Sequence, residues 1–237
     1  MTDTLHRILP QVQKPARYVG GEYNQIVKDK RDVDVRVAFC FPDTYEIGMS
    51  NIGMRILYGL MNELPGVWCE RVFAPWGDME EKMREHAIPL YALESHDPVR
   101  AFDLIAFTIG YEMSYTNILN MLDLSGVPLL ARERKELENI VFAGGVCAVN
   151  PEPLADFIDF FSFGEGEEIT KEILACYRQA KKDGCSKDEF LLRISRIDGV
   201  YVPSFYEHSY NPDGTLAAIT PEPGAPERVK KRIVQDM

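Results

Sequence analysis

Apolar residues alternate with polar ones along VDVRVAFCF, where Val33, Val35, Val37, Phe39 and Phe41 share one face and Pro42 ends the run. A period of two predicts a β-strand. The next segment, IGMRILYGLMNEL, places Ile52, Ile56, Leu57, Leu60 and Leu64 at helical spacing, with Ser50 or Asn51 positioned to cap it. The two periods then take turns. Strands are predicted at 67–74, 89–95, 102–110, 138–145 and 156–164, and helices at 79–87, 114–126 and 165–184. The 102–110 run, FDLIAFTIG, is almost wholly apolar, as expected of a central parallel strand covered on both faces. The 165–184 helix carries lysines in its last turn and Gly184 just beyond it.

Strands alternating with helices at these lengths imply βαβ units and an α/β, doubly wound parallel sheet over residues 33–184. Residues 1–32 are polar, mixed in charge and without a clear period, and read as an arm that packs on something. Residues 185–237 form a connector of mixed α and β character. It has a short helix at 187–195 and extended segments around a turn at Asn211-Pro212-Asp213-Gly214, and its tail carries Arg228, Lys230, Lys231 and Arg232.

Composition narrows the function classes. The 26 Lys and Arg against 37 Asp and Glu give a net charge of −11, so a broad basic nucleic-acid footprint is absent from this segment. None of Cys40, Cys69, Cys147, Cys176 and Cys185 has the spacing of a zinc knuckle or of an iron–sulfur loop. An odd number of cysteines without a signal peptide points to a reducing, cytoplasmic setting. No apolar run reaches the ~18 residues of a membrane span. The four histidines form no spaced pair, so no metal site is expected from protein side chains.

Three loops fall at predicted strand carboxyl ends, where ligands of open α/β sheets sit. In the first, Asp43, Tyr45 and Gly48 have the spacing of the cobalamin signature D-x-H-x-x-G, with Ser50 just beyond and tyrosine in the histidine position. A phenol with a pKa near ~10 is neutral at pH 7 and a poor lower ligand for cobalt. The plainer alternative is a strand-to-helix turn capped by Asp43. The second loop groups Thr108, Gly110 and Glu112, or else Ser114 simply caps a helix while Glu112 faces water. The third brings the pair Gly144 and Gly145 together with Gly164 and Glu165. Paired glycines let backbone approach a ligand closely, whereas Glu165, Glu167 and Glu168 complement the helix dipole and would repel a phosphate.

Taken in order, PDTYEIGMSNIG, ERVFAPWGDME, SYTNILNMLDLSGVPL, AGGVCAVNPEPLADFIDFF and GEGEE resemble the N-terminal part of a radical S-adenosylmethionine family, over about residues 15–237. The resemblance implies a flavodoxin-like, cobalamin-binding-like domain ahead of a barrel. The barrel's CxxxCxxC loop would hold a [4Fe–4S] cluster and S-adenosylmethionine. No such loop occurs in these 237 residues, so the chain is expected to stop before its barrel partner. On this reading Asp43, Tyr45, Gly48, Thr108, Gly144 and Gly145 stand at signature positions, and cobalamin would bind without an axial histidine. The expected role is an accessory segment, not itself catalytic, that positions cobalamin or shapes substrate access over the barrel. The alternative is a docking module without cofactor.

Overall fold

A computed structural model describes residues 2–234. Five parallel strands, β1 (Val35–Phe41), β2 (Val67–Phe73), β3 (Leu104–Thr108), β4 (Ile140–Gly144) and β5 (Phe160–Ser162), form one sheet with β6 (Val200–Tyr201), which runs antiparallel to β5. The spatial order is β2-β1-β3-β4-β5-β6, the flavodoxin-like arrangement expected from the sequence. Strands β1 to β4 are buried on both sides almost throughout, which is why they read as near-continuous apolar runs.

Helices cover both faces. On one lie α1 (Thr2–Ile8), α4 (Gly77–Glu85) and α5 (Tyr115–Ser125), anchored by Leu5, Ile8, Met79, Met83, Ile118 and Met121. On the other lie α3 (Ile52–Glu63), α6 (Gly166–Asp183) and α7 (Lys187–Ile194), anchored by Met54, Met61, Ile169, Ile173, Tyr177 and Phe190. A short helix α2 (Tyr45–Ser50) precedes α3, and the Asn51 side chain caps α3 by accepting from the Met54 N–H at 2.8 Å. The 165–184 and 114–126 helices end as their sequences predict, on left-handed Gly184 and Gly126. The turn at 211–214 joins β7 (Tyr206–Tyr210) to β8 (Leu216–Pro221) in a separate two-stranded hairpin.

Two segments differ from the pattern. The strand predicted at 89–95 is a loop with one isolated bridge, Tyr91 to Pro98. Pro89 has no N–H to give, and the chain reverses at His96 (φ 56°), so backbone N–H contact with β2 is reduced to the Leu93 N–H on the Arg71 carbonyl and the Ser95 N–H on the Glu70 carboxylate. The strand predicted at 156–164 shrinks to Phe160–Ser162 because its first part is committed elsewhere. Asp159 is held by Arg134 at 3.0 Å and Lys187 at 2.6 Å and accepts the Val141 N–H at 2.7 Å. Trp76 is about half exposed beside Arg17, whereas Trp68 and Phe73 are buried.

Strand β2 is an edge, yet all seven residues are buried, including Glu70 and Arg71. The N-terminal residues cover it. Trp68 donates its ring N–H to the Ile26 carbonyl at 3.0 Å, and Lys28 bonds the Asn62 carbonyl at 2.6 Å. Glu70 pairs with Arg36, while Arg71 pairs with Glu94 at 2.6 Å and Glu22 at 2.7 Å. A sheet edge closed this way offers no free ladder for another chain.

Two predictions follow from these pairs. Removing one partner of a buried ion pair leaves an uncompensated charge, so Asp159→Asn should cost about 3–5 kcal/mol in urea unfolding; a loss below ~1 kcal/mol would contradict the burial of all three groups. At the surface, Glu46 binds Lys14 at 3.1 Å and Arg17 at 2.8 Å, and the Arg17 guanidinium pulls its carboxyl from 4.5 to about 2. A depressed carboxyl stabilises the folded state above its unfolded value and loses that effect as pH falls. The N-terminal contact should therefore weaken only below pH 4.5, with an NMR midpoint for Glu46 near 2; a midpoint at the ordinary value would show the pairs are not formed in solution.

Candidate functional site

Winding direction places the site. The loop after β1 leads to α2 and α3 on one face, and the loop after β3 leads to α5 on the other. The loops therefore diverge between neighbouring strands β1 and β3, and a crevice opens at their carboxyl ends. It measures about 300 Å³ and continues between the sheet and α3 and α6.

The floor is one cross-strand row. Phe39 pairs in register with Ala106, Ala106 with Phe142, and Phe142 with Phe160. Alanine in the middle of three phenylalanines leaves a notch, and Phe39, Ala106 and Phe142 all line the crevice. Leu57 and Met61 of α3 form the opposite wall. The polar groups are Asn51, Thr108, Ser162 and Thr170, and among the described residues no charged side chain lines the cavity.

The crevice collects five of the residues singled out in the sequence: Thr108, Gly110, Gly144, Gly145 and Gly164. Two of these glycines answer to neighbouring backbone. Gly145 has φ 101°, and a Cβ there would stand 2.6 Å from the Ile109 carbonyl oxygen. Gly164 has φ 106°, and a Cβ would collide with the backbone of Arg232, which crosses behind it.

The other six lie outside the crevice lining. Asp43 accepts the Thr44 N–H at 2.7 Å, and its carbonyl takes the Ala74 N–H at 3.0 Å, tying the ends of β1 and β2. Tyr45 donates its hydroxyl to Glu22 at 2.7 Å and packs edge-on against Phe73. Burial, with Glu22 beside it, pushes the phenol up to about 12, so it remains a neutral donor committed to that carboxylate. Gly48 sits against Phe73 and Phe41, where any Cβ would strike the rings. Ser50 donates to the Ile47 carbonyl at 2.7 Å. Glu112 lies exposed in a 3-10 turn at 112–114, and Glu165 accepts the Val234 N–H. Cys147 gives its thiol to the Gly110 carbonyl at 3.3 Å, and desolvation together with Glu112 raises its pKa, the opposite of an activated nucleophile.

The row Phe39–Ala106–Phe142 and the residues Ser162 and Thr170 were not marked in the sequence. The available signal was a single small residue inside the apolar run FDLIAFT, which acquires meaning only once strand register is known.

A larger cavity, about 590 Å³, opens between residues 131–135, 152–159, 186–191 and 203–208. Its buried cations are already occupied. Lys187 bonds the carbonyls of Ala131 and Arg134, and Arg134 bonds those of Pro128, Leu129 and Phe157, with Asp159 held by both. Their donors fasten loops and leave none for a ligand.

Around the crevice mouth lie exposed apolar side chains that follow the carboxyl ends of β1, β3 and β4: Ile52 at 70%, Met113 at 83% and Val146 at 76%, with Ile47, Tyr111 and Val149 beside them. Among the described residues no group of three or more His, Cys, Asp or Glu stands close enough to hold a metal ion, and no helix is long and apolar enough to cross a membrane.

The chain is 29% identical over 143 residues to an uncharacterized protein of Methanocaldococcus jannaschii, covering 58% of this chain and 26% of that one. It thus spans about a quarter of that relative's length. The family described as radical SAM proteins, N-terminal, matches residues 53–203, a stretch that holds the crevice walls of β3, β4 and β5. This chain, with a flavodoxin-like sheet and a neutral crevice at its switch point, belongs to that N-terminal family of radical SAM proteins.

Proposed function

We propose that this domain is the accessory domain of a radical SAM enzyme and that its switch-point crevice holds cobalamin without a protein ligand on cobalt. The observation that carries the reading is the crevice itself: neutral, about 300 Å³, floored by Ala106 between Phe39 and Phe142 and edged by Gly144 and Gly145. Apolar, flat-sided walls suit an uncharged aromatic ring such as the benzimidazole of a cobalamin tail. Asn51, Thr108, Ser162 and Thr170 offer neutral hydrogen-bonding groups to its polar edges. With no cation in the lining, a phosphate belongs outside. Bound there, cobalamin would supply a cobalt centre able to carry an alkyl group.

The residues present fit the ring and not an axial bond. Tyr45, in the ligand position of the signature, is neutral and turned to Glu22. The exposed apolar residues around the mouth would then meet the catalytic domain and exclude water from the space between. The same rim also favours a second reading, in which the domain docks on the catalytic domain and bounds its substrate entrance with no cofactor of its own.

Titration with hydroxocobalamin, followed by absorbance after gel filtration, separates the two. Retention by the wild type is expected. Gly144→Val, which drives side-chain volume toward Ser162, should weaken binding at least roughly tenfold, equivalent to the ~1.4 kcal/mol of a modest overpacking clash. Lack of retention at high micromolar ligand leaves the docking reading. In the same assay Tyr45→Phe should leave binding and spectrum unchanged while lowering stability by about 1 kcal/mol through the lost Glu22 bond; an altered cobalamin spectrum would mean the phenol reaches the cobalt.

A further inference from the structure

The chain crosses its own crevice wall a second time. Past β8 it returns to the carboxyl end of β5, where Arg232 makes a parallel bridge with Gly164. The Arg232 N–H donates to the Phe163 carbonyl at 2.9 Å, and the Glu165 N–H donates to the Arg232 carbonyl at 3.2 Å. Gly164 lines the crevice and also abuts the Arg232 backbone so closely that no side chain fits between them. Gly199, φ 97°, admits the strap from the other flank, a Cβ there meeting the Arg232 Cβ at 3.2 Å.

Val229 packs against the core at the start of the strap, and charge holds down the rest. The Arg232 guanidinium bonds Glu168 at 2.9 Å and Glu172 at 2.5 Å, both on α6, and the Val234 N–H bonds Glu165. Lys230 and Lys231, both exposed, precede Arg232 in the same basic run, and α6 has an acidic first turn at Glu167 and Glu168. These ion pairs are part exposed, so they are modest and sensitive to salt. The backbone bridge has only two hydrogen bonds, too few to persist without the side chains.

We propose that residues 229–234 are a charge-held strap that closes the β5 side of the crevice, and that its release opens the crevice from that side. A strap pressed on Gly164 fixes the turn Phe163–Gly166 from which α6 starts, and that turn is a wall of the cavity. Anything that pulls on the chain beyond Arg232, or that competes for Glu168 and Glu172, would act on the crevice through this one contact. The inference holds whatever the crevice binds.

The test places a reporter in the wall. Ser162→Cys lines the crevice, and its labelling by a maleimide can be followed by peptide mass separately from the native cysteines. Arg232→Glu should raise that labelling rate roughly tenfold at low salt, as should high salt in the unmodified strap, a change in keeping with two part-exposed pairs replaced by repulsion. Reversing the charges in Arg232→Glu with Glu168→Lys and Glu172→Lys should restore slow labelling. Slow exchange of the Glu165 amide with the strap closed, and fast exchange in Arg232→Glu, gives a second readout that general unfolding is excluded from by an unchanged melting transition. Equal labelling rates in all three proteins, or fast labelling that the charge reversal fails to correct, would overturn the strap.

Discussion

Winding reverses once in this sheet, and the rest of the site follows from that constraint. A parallel strand must hand its chain to a helix at the carboxyl end, and that helix must return across one face. The chain goes from β1 to the α3 face and from β3 to the α5 face, so nothing covers the gap between them. The gap deepens into a crevice because the row Phe39–Ala106–Phe142 has its one small residue on β3. The floor comes from strands β1, β3 and β4, with α3 and the start of α6 as walls, whereas exposed apolar side chains follow the strand ends. Rigidity beneath and apolar exposure above suit a surface that holds one thing and meets another.

Buried charge keeps that scaffold closed elsewhere. Edge strand β2 is covered by residues of the N-terminal segment and by ion pairs to Glu70 and Arg71. At the far side Asp159, Arg134 and Lys187 fasten the loops before β4 and β5 and the start of α7. Neither group faces the crevice, so the neutral interior there is a local property of a protein with net charge −11. Placement of the charges, more than their sum, decides what the domain can accept.

Much of this was legible in the sequence. The alternation at 33–41 and the apolar run at 102–110 announced buried parallel strands, and the glycine pair 144–145 stands at the end of β4 and lines the crevice. What failed did so for tertiary reasons. Period alone could not show that Asp159 would be claimed by Arg134 and Lys187, shortening β5, or that the chain reverses at His96 before a strand can form at 89–95. The signature loop shows the limit of spacing most sharply. Asp43, Tyr45 and Gly48 keep the spacing, yet tie strands, bind Glu22 and pack on Phe73. Ser162, Thr170 and the phenylalanine row carry no local mark, because a cavity belongs to register and packing and not to any one segment. The second use of Gly164, as the seat of Arg232, lies 68 residues away in sequence and was equally invisible.

Amide hydrogen exchange with and without hydroxocobalamin tests the central claim, that the switch-point crevice is the ligand site, most directly. Slowed exchange is expected to be confined to residues 106–110, 142–146 and 162–170, with 43–50 unchanged. Slowing at 131–135, 152–159 and 186–191 instead, around the larger cavity, or slowing centred on Tyr45, would contradict it.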